Sequence, residues 1–301
     1  MKPKLLIVDL NHLIYRYGDR FFKDFITKED ALAKIDNAIT IAKNFTKSEK
    51  VIIVADFSCP SRKQFYNELL NNKESSDEYK EGRIKNEKWN ELNNDVKLML
   101  SRKYSYIRAY DYEADDIITA LVDKMGNKVD KYILTIDADI LPLVDNDTKV
   151  LLFRQNNTEF DDINKYSLFT VENFSTKIKM LKSFRAKGIN LNNFLLVKML
   201  IGDKSDNIPR VAKHTSTNIV DFLKWSNLDK NFRWNYFLSE DEVLEELKKI
   251  ILNKKEQQEA LNNFKLMKMN STLGGKRKPF EITKEMIIKT GDHTIGNTNE
   301  K

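Results

Sequence analysis

Nine acidic residues are spaced so that chemistry on phosphate is within their reach. Asp9 closes the apolar run Leu5-Leu6-Ile7-Val8, and Asp56 follows Val51-Ile52-Ile53-Val54-Ala55. Asp137 and Asp139 follow a third run, Tyr132-Ile133-Leu134-Thr135-Ile136. Glu113, Asp115 and Asp116 open an apolar helix-like stretch, and Asp203 and Asp206 follow another that ends at Ile201. Carboxylates that share one site repel and raise each other's pKa. Hard divalent cations with oxygen ligands relieve that repulsion, and magnesium suits a site that handles phosphate. Taken singly, Asp9, Asp56 or Asp137 reads equally well as a helix cap or turn former. Acids in the first turn of a helix also favour its dipole, which could account for Glu113, Asp115 and Asp116. Three strand ends carrying Asp, one of them as Asp-x-Asp, argue for a common purpose.

The elements that must hold these acids are legible as alternating patterns. Strands are expected at 4–9, 51–56, 105–109, 131–136 and 148–153, and helices at 29–46, 113–126 and 139–145. Uninterrupted apolar strands separated by helices predict an α/β fold, with a mostly parallel sheet covered on both faces. In such sheets ligands bind outside the carboxyl ends of the strands, where these acids lie. Residues 58–103 interrupt the pattern with a polar insertion whose helices are expected at 61–72 and 84–101. From about 165 the chain turns helical, with expected segments at 171–187, 191–201, 216–226, 240–253 and 255–268. The division is therefore a core over 1–165 including the insertion, a helical region over 166–270, and a flexible tail over 271–301.

Composition narrows the class. Charged residues are 32% and hydrophobic residues 41% of 301, which excludes a disordered chain. A net charge of +6 leans toward polyanions, so an acidic pocket would lie within a basic surface. Cys59 is the single cysteine, which excludes an intramolecular disulfide and a cysteine-built zinc site. The first strand begins at once, with no secretory pattern and no membrane-length apolar run, so a cytoplasmic location is expected.

The order and spacing of Asp9, Asp56, Tyr112-Glu113-Ala114-Asp115-Asp116, Asp137-Ala138-Asp139 and Gly202-Asp203-Lys204-Ser205-Asp206-Asn207-Ile208-Pro209 resemble those of the structure-specific 5′-nucleases. That family includes flap endonucleases, the 5′-exonuclease domain of bacterial DNA polymerase I, and the phage RNase H enzymes, which this chain looks most like. The resemblance covers about residues 4–225. It implies a PIN-like nuclease core, a helical arch over 58–103, and a degenerate helix-two-turn-helix near 191–226 that grips DNA. It implies two magnesium ions, with manganese as a substitute, held by Asp9, Asp56, Glu113, Asp116, Asp137 and Asp139, with Asp115, Asp203 and Asp206 completing the outer site. Lys80 and Arg83 would contact the scissile phosphate. Arg62, Tyr66, Tyr79, Lys204, Arg210 and Lys213 would bind nucleic acid.

The implied activity is 5′-to-3′ exonuclease and flap endonuclease cleavage with RNase H-type action, removing RNA primers or 5′ flaps in phage-type DNA replication. The implied partners are 5′-ended or branched DNA, RNA–DNA hybrid, and a replication clamp or single-strand binding protein, with the nuclease a monomer. One departure stands out. Family members place a glycine-rich turn after Ser-Asp-Asn-Ile-Pro, whereas residues 210–218 contain no glycine. Close backbone approach to phosphate or to a monovalent cation there is put in doubt. Three other classes compete: a non-catalytic DNA junction binder on the same fold, a PIN-type ribonuclease, and an Asp-nucleophile phosphatase. The first should have lost acids, the second lacks the insertion, and the third would want Asp-x-Asp where this chain has Asp9-Leu10-Asn11.

Overall fold

A strand that is apolar without interruption must be covered on both sides, and the computed structural model follows that rule. It describes residues 1–70, 87–153, 166–181, 184, 188–204, 206–211, 214–215 and 218–296. Lys4–Asp9 (β1), Lys50–Val54 (β2), Ser105–Ala109 (β3), Asp130–Thr135 (β4) and Thr148–Phe153 (β5) form a parallel set. Tyr166–Phe169 (β6) adds antiparallel to β5, and Gly291–Ile295 (β7) adds parallel to β3. The sheet order is β6-β5-β4-β1-β2-β3-β7. This is the mostly parallel α/β fold that the apolar runs predict.

Alternation along β1 sends its side chains to two cores. Leu6 and Val8 pack with Leu13 and Tyr17 of Leu10–Phe22 (α1), Ile35 of Lys28–Thr46 (α2) and Trp89 of Glu87–Ser101 (α4). Leu5 and Ile7 face the other layer. There they meet Ile117 of Ala114–Met125 (α5), Leu195 of Phe194–Ile201 (α7) and Phe264 of Lys254–Met267 (α10). Pro60–Leu69 (α3), Phe174–Lys177 (α6), Ile219–Trp225 (α8), Glu240–Ile250 (α9) and Lys284–Ile288 (α11) complete the helices among the described residues. Helix ends follow local chemistry. The Thr27 hydroxyl accepts from the Asp30 amide at 3.1 Å while the Thr27 amide donates to Asp30 at 3.2 Å, a reciprocal cap for α2.

Three expectations change. The helix α1 was not expected, because its apolar positions continue the run of β1 with only Asp9 between them. The expected helix over 171–187 is reduced to α6 and a tight turn at Ile178–Met180, with 182–183 and 185–187 outside the described residues. The expected flexible tail instead folds through residue 296, adding α11 and the edge strand β7. Of the arch expected over 58–103, α3 and α4 are described, while 71–86 lies outside the described residues.

The C-terminal segment also reaches inward. The Asn270 side chain donates to the Phe280 carbonyl at 3.3 Å and accepts the Phe280 amide, and the Tyr112 hydroxyl donates to the Lys278 carbonyl at 2.8 Å. Deleting residues 271–301 should therefore uncover β3 and free its inner contacts. The melting temperature should fall on the order of 10 °C, from about 3–5 kcal/mol lost with the buried ion pair that Arg277 of this segment makes with Asp116. A thermal scan that matches the intact chain would show this segment to be a bystander.

Candidate active site

The sheet order decides which acids meet. β4, β1, β2 and β3 are neighbours, so residues just past their carboxyl ends share one edge. Asp137 follows β4, Asp9 ends β1, Asp56 follows β2 and Glu113 follows β3. Asp9 precedes α1 but makes no side-chain bond to cap it. Its carboxylate instead accepts from the Thr135 hydroxyl at 2.9 Å and lies 2.6 Å from His12 Nδ1. His12 Nε2 lies 3.8 Å from Asp137 Oδ2. An imidazole thus sits between the two acids.

His12 was not singled out in the sequence. Its signal was the three-residue step from Asp9 into the first turn of a helix, which places both on one face. Burial works to remove the His12 proton, but Asp9, which it hydrogen bonds, and then Asp137 and Asp115 outweigh burial. The pKa is pushed up to about 10.

Asp56 accepts the Ala114 amide at 2.7 Å, occupying one of the unpaired donors at the start of α5. Glu113, at that same start, lies 3.3 Å from Arg62 Nε. Asp116 is fully buried. Its Oδ1 takes Arg62 Nη2 at 2.7 Å and the Asn270 amide at 2.6 Å. Its Oδ2 takes Arg277 Nη2 at 2.8 Å and the Glu113 amide at 3.0 Å. Burial opposes ionisation of Asp116, yet the Arg62 and Arg277 charges hold its carboxyl below the usual range.

On the other side, Asp137 accepts the Asp139 amide at 2.8 Å within the tight turn Ala138–Leu143. The Tyr236 hydroxyl braces that turn by donating to the Asp139 carbonyl at 2.9 Å. Lys198 of α7 is buried and donates both to Asp139 and, at 3.0 Å, to Asp203. Burial and the adjacent Asp137 raise the Asp139 carboxyl above its usual range, with Lys198 pulling the other way. Burial lowers the Lys198 ammonium, but Asp139 and Asp203 more than compensate, and its pKa is raised.

Asp203 and Asp206 belong to a tight loop. The Asp203 amide donates to the Ile208 carbonyl at 2.9 Å and the Ile208 amide returns the bond at 2.8 Å. Gly202 makes the loop feasible: its φ is +71°, and an added Cβ would lie 2.6 Å from the Ile208 carbonyl oxygen. Lys204 and Arg210 are exposed on this loop, and Asp206 is half-buried.

Three residues take places other than those the sequence suggests. Arg62 and Tyr66, expected on nucleic acid, point inward and are 4% and 1% exposed. Arg62 serves Asp116 and Glu113, and the Tyr66 hydroxyl donates to the Asn207 carbonyl at 2.5 Å. Tyr66 therefore ties α3 to the Asp203 loop and offers no ring for stacking. Asp116, expected to hold metal, has both oxygens engaged by protein donors. Lys80, Arg83, Tyr79 and Lys213 lie outside the described residues.

The remaining donors are carboxylate oxygens, the kind that hard divalent cations take. Among the described residues, no group of three or more His, Cys, Asp or Glu is placed to hold a metal ion as it stands. The contacts explain this: acids meet protein cations before they meet each other in threes. The donor chemistry fits a divalent ion.

Two measurements check this electrostatic framework. Asp116→Ala should destabilise the fold by about 3–5 kcal/mol, since it removes the one carboxylate that two buried guanidinium groups share; a denaturant midpoint equal to wild type would contradict it. His12, one of three histidines, should keep its proton past pH 8 in NMR titration of the metal-free protein. Because its folded pKa is the higher one, its stabilising contribution is complete below about 6.5 and fades as pH rises toward about 10. Titration near 6.5 would mean that the Asp9–His12 pairing is not formed.

With the geometry in place, similarity to known proteins becomes informative. The family described as 5'-3' exonuclease, N-terminal resolvase-like domain, matches residues 4–179, more than half of the chain. A 5'-3' exonuclease of Buchnera aphidicola subsp. Schizaphis graminum is 28% identical over 240 residues, covering 75% of this chain and 72% of its own length. DNA polymerase I of Lactococcus lactis subsp. cremoris is 36% identical over 114 residues, which is 36% of this chain and 11% of the polymerase. A bacteriophage T5 protein co-crystallised with metal ions shares the fold, with a TM-score of 0.63 at 15% identity, covering 90% of this chain and 91% of that one. So does the bacteriophage T5 flap endonuclease in a pseudo-enzyme-product complex with DNA and metal ions, with a TM-score of 0.61 at 16% identity and 90% of each chain covered. The acidic edge is thus the candidate active site, and the chain belongs to the 5′-3′ exonuclease family.

Proposed function

We propose that this nuclease hydrolyses phosphodiester bonds near 5′ ends with the help of divalent metal ions, magnesium by preference and manganese as a substitute. The observation that carries the reading is the placement of Asp137, Asp9, Asp56 and Glu113 past the ends of four neighbouring strands. Asp115, Asp139, Asp203 and Asp206 extend that set, and these acids would hold the ions. When bound, the metal supplies an activated water and stabilises the leaving oxygen. The residues of the chain position its ligands: Tyr236 braces the turn that carries Asp139, the paired bonds between Asp203 and Ile208 hold Asp203, and Asp116 with its two arginines fixes the start of α5.

Substrate contact falls to the exposed Lys204 and Arg210 beside the acids, whose charges suit phosphate in a salt-dependent way. Lys80, Arg83, Tyr79 and Lys213 are assigned phosphate and base contacts on the strength of the sequence motifs alone. We infer 5′-ended duplexes, flaps and RNA–DNA hybrids as substrates, with removal of primers or flaps in replication as the role. The similarity of this chain to a segment of DNA polymerase I supports that setting.

The test is cleavage of a 5′-labelled flap duplex and a labelled RNA–DNA hybrid, with magnesium or with chelator, beside Asp137→Ala. Magnesium-dependent release of short 5′ products is expected, with the variant reduced at least about 100-fold, as for loss of a group that stabilises transition-state charge. DNA binding should stay within a few-fold, because Lys204 and Arg210 are untouched. Tight DNA binding with no cleavage in any divalent metal would establish the junction-binder reading instead.

A further inference from the structure

Lys198 is an unusual residue for the middle of a buried apolar helix. The segment is Phe194-Leu195-Leu196-Val197-Lys198-Met199-Leu200-Ile201, and its side chain is 4% exposed. A buried ammonium is costly unless it is paired and hydrogen-bonded. Here it has two carboxylate partners drawn from separate parts of the chain. Asp139 comes from the turn after β4 and is braced by Tyr236. Asp203 comes from the loop that ends α7, closed by its paired bonds to Ile208. The Gly202 amide, bonded to the Lys198 carbonyl at 2.9 Å, fixes lysine and loop together. Both acids are therefore held in place around the ammonium, and Asp137 adds further negative charge nearby.

We propose that Lys198 is a built-in counter-ion that occupies one cation position of the acidic edge and so makes uptake of divalent ions unequal. This deepens the proposed function and rests on it. A divalent ion bound between Asp139 and Asp203 takes the place of the ammonium, which must swing out of its pocket. Two charges of the same sign cannot share that space at contact distance. The position is consequently the weaker one for metal, while the lysine keeps the two acids neutralised and the loop folded when metal is absent. Lys198 is thus a positioning residue that sets metal affinity.

Calorimetric titration of manganese into the substrate-free full chain tests this, comparing wild type with Lys198→Met and Lys198→Arg. The Met variant should bind one ion more tightly than wild type by at least about tenfold at the weaker position, since a buried opposing charge is gone. The Arg variant should resemble wild type. A second measurement uses the wild type alone, so that it stands even if Lys198→Met fails to fold. Lys198 should resist amine acetylation without metal and become reactive with saturating magnesium or calcium, read by peptide mass spectrometry. Equal affinities in wild type and Lys198→Met, or unchanged acetylation on adding metal, would overturn the proposal and leave the nuclease reading intact. Failure of every form to bind a divalent ion at these acids would overturn both.

Discussion

Mutual repulsion among carboxylates is the constraint on which this structure turns. A parallel sheet brings strand carboxyl ends to one edge, and this sequence places an acid past each of four neighbouring ends. Four cations answer that charge from within the protein. His12 lies between Asp9 and Asp137, Lys198 between Asp139 and Asp203, and Arg62 and Arg277 grip Asp116. Each is contributed by a different element, so the electrostatics of the edge and the packing of both helical layers are one problem. The C-terminal segment belongs to that solution, because it supplies Arg277.

The arrangement separates two kinds of acid that look alike in sequence. Asp115 and Asp116 are adjacent, yet Asp116 points into the core and takes four donors, while Asp115 remains partly exposed. Asp116 is a structural keystone that sets the direction of α5 and hence of Glu113. Asp9 shows the reverse case. It stands where a helix cap would, but its oxygen is directed across the sheet edge to Thr135 and His12. Position relative to a helix end does not by itself tell a cap from a site residue.

The sheet was legible because buried parallel strands need unbroken apolar runs, and the runs ending at Asp9, Ala55, Ile136 and Phe153 gave strand positions within a residue or two. The acidic set was legible because three strand ends carry Asp, one of them as Asp-x-Asp, which caps and turns alone do not require. What escaped was partner identity. Arg62 and Tyr66 lie in a polar segment that reads as surface, and only their partners turn them inward, Asp116 and the Leu266 carbonyl for Arg62 and the Asn207 carbonyl for Tyr66. Lys198 reads as one polar residue in an apolar helix until Asp139 and Asp203 appear beside it. The edge strand β7, Gly291-Asp292-His293-Thr294-Ile295, is half-exposed and carries no apolar pattern, so nothing local distinguishes it from a loose tail.

The most direct test of the account is where divalent ions settle in the folded protein. Crystals soaked in manganese would reveal them through anomalous scattering. Peaks among Asp9, Asp56, Glu113, Asp115, Asp137, Asp139 and Asp203, with His12 or Lys198 displaced and Asp116 still clasped by Arg62 and Arg277, are the predicted result. An edge without peaks under saturating metal, or peaks bound by Asp116 with its arginines turned away, would contradict it.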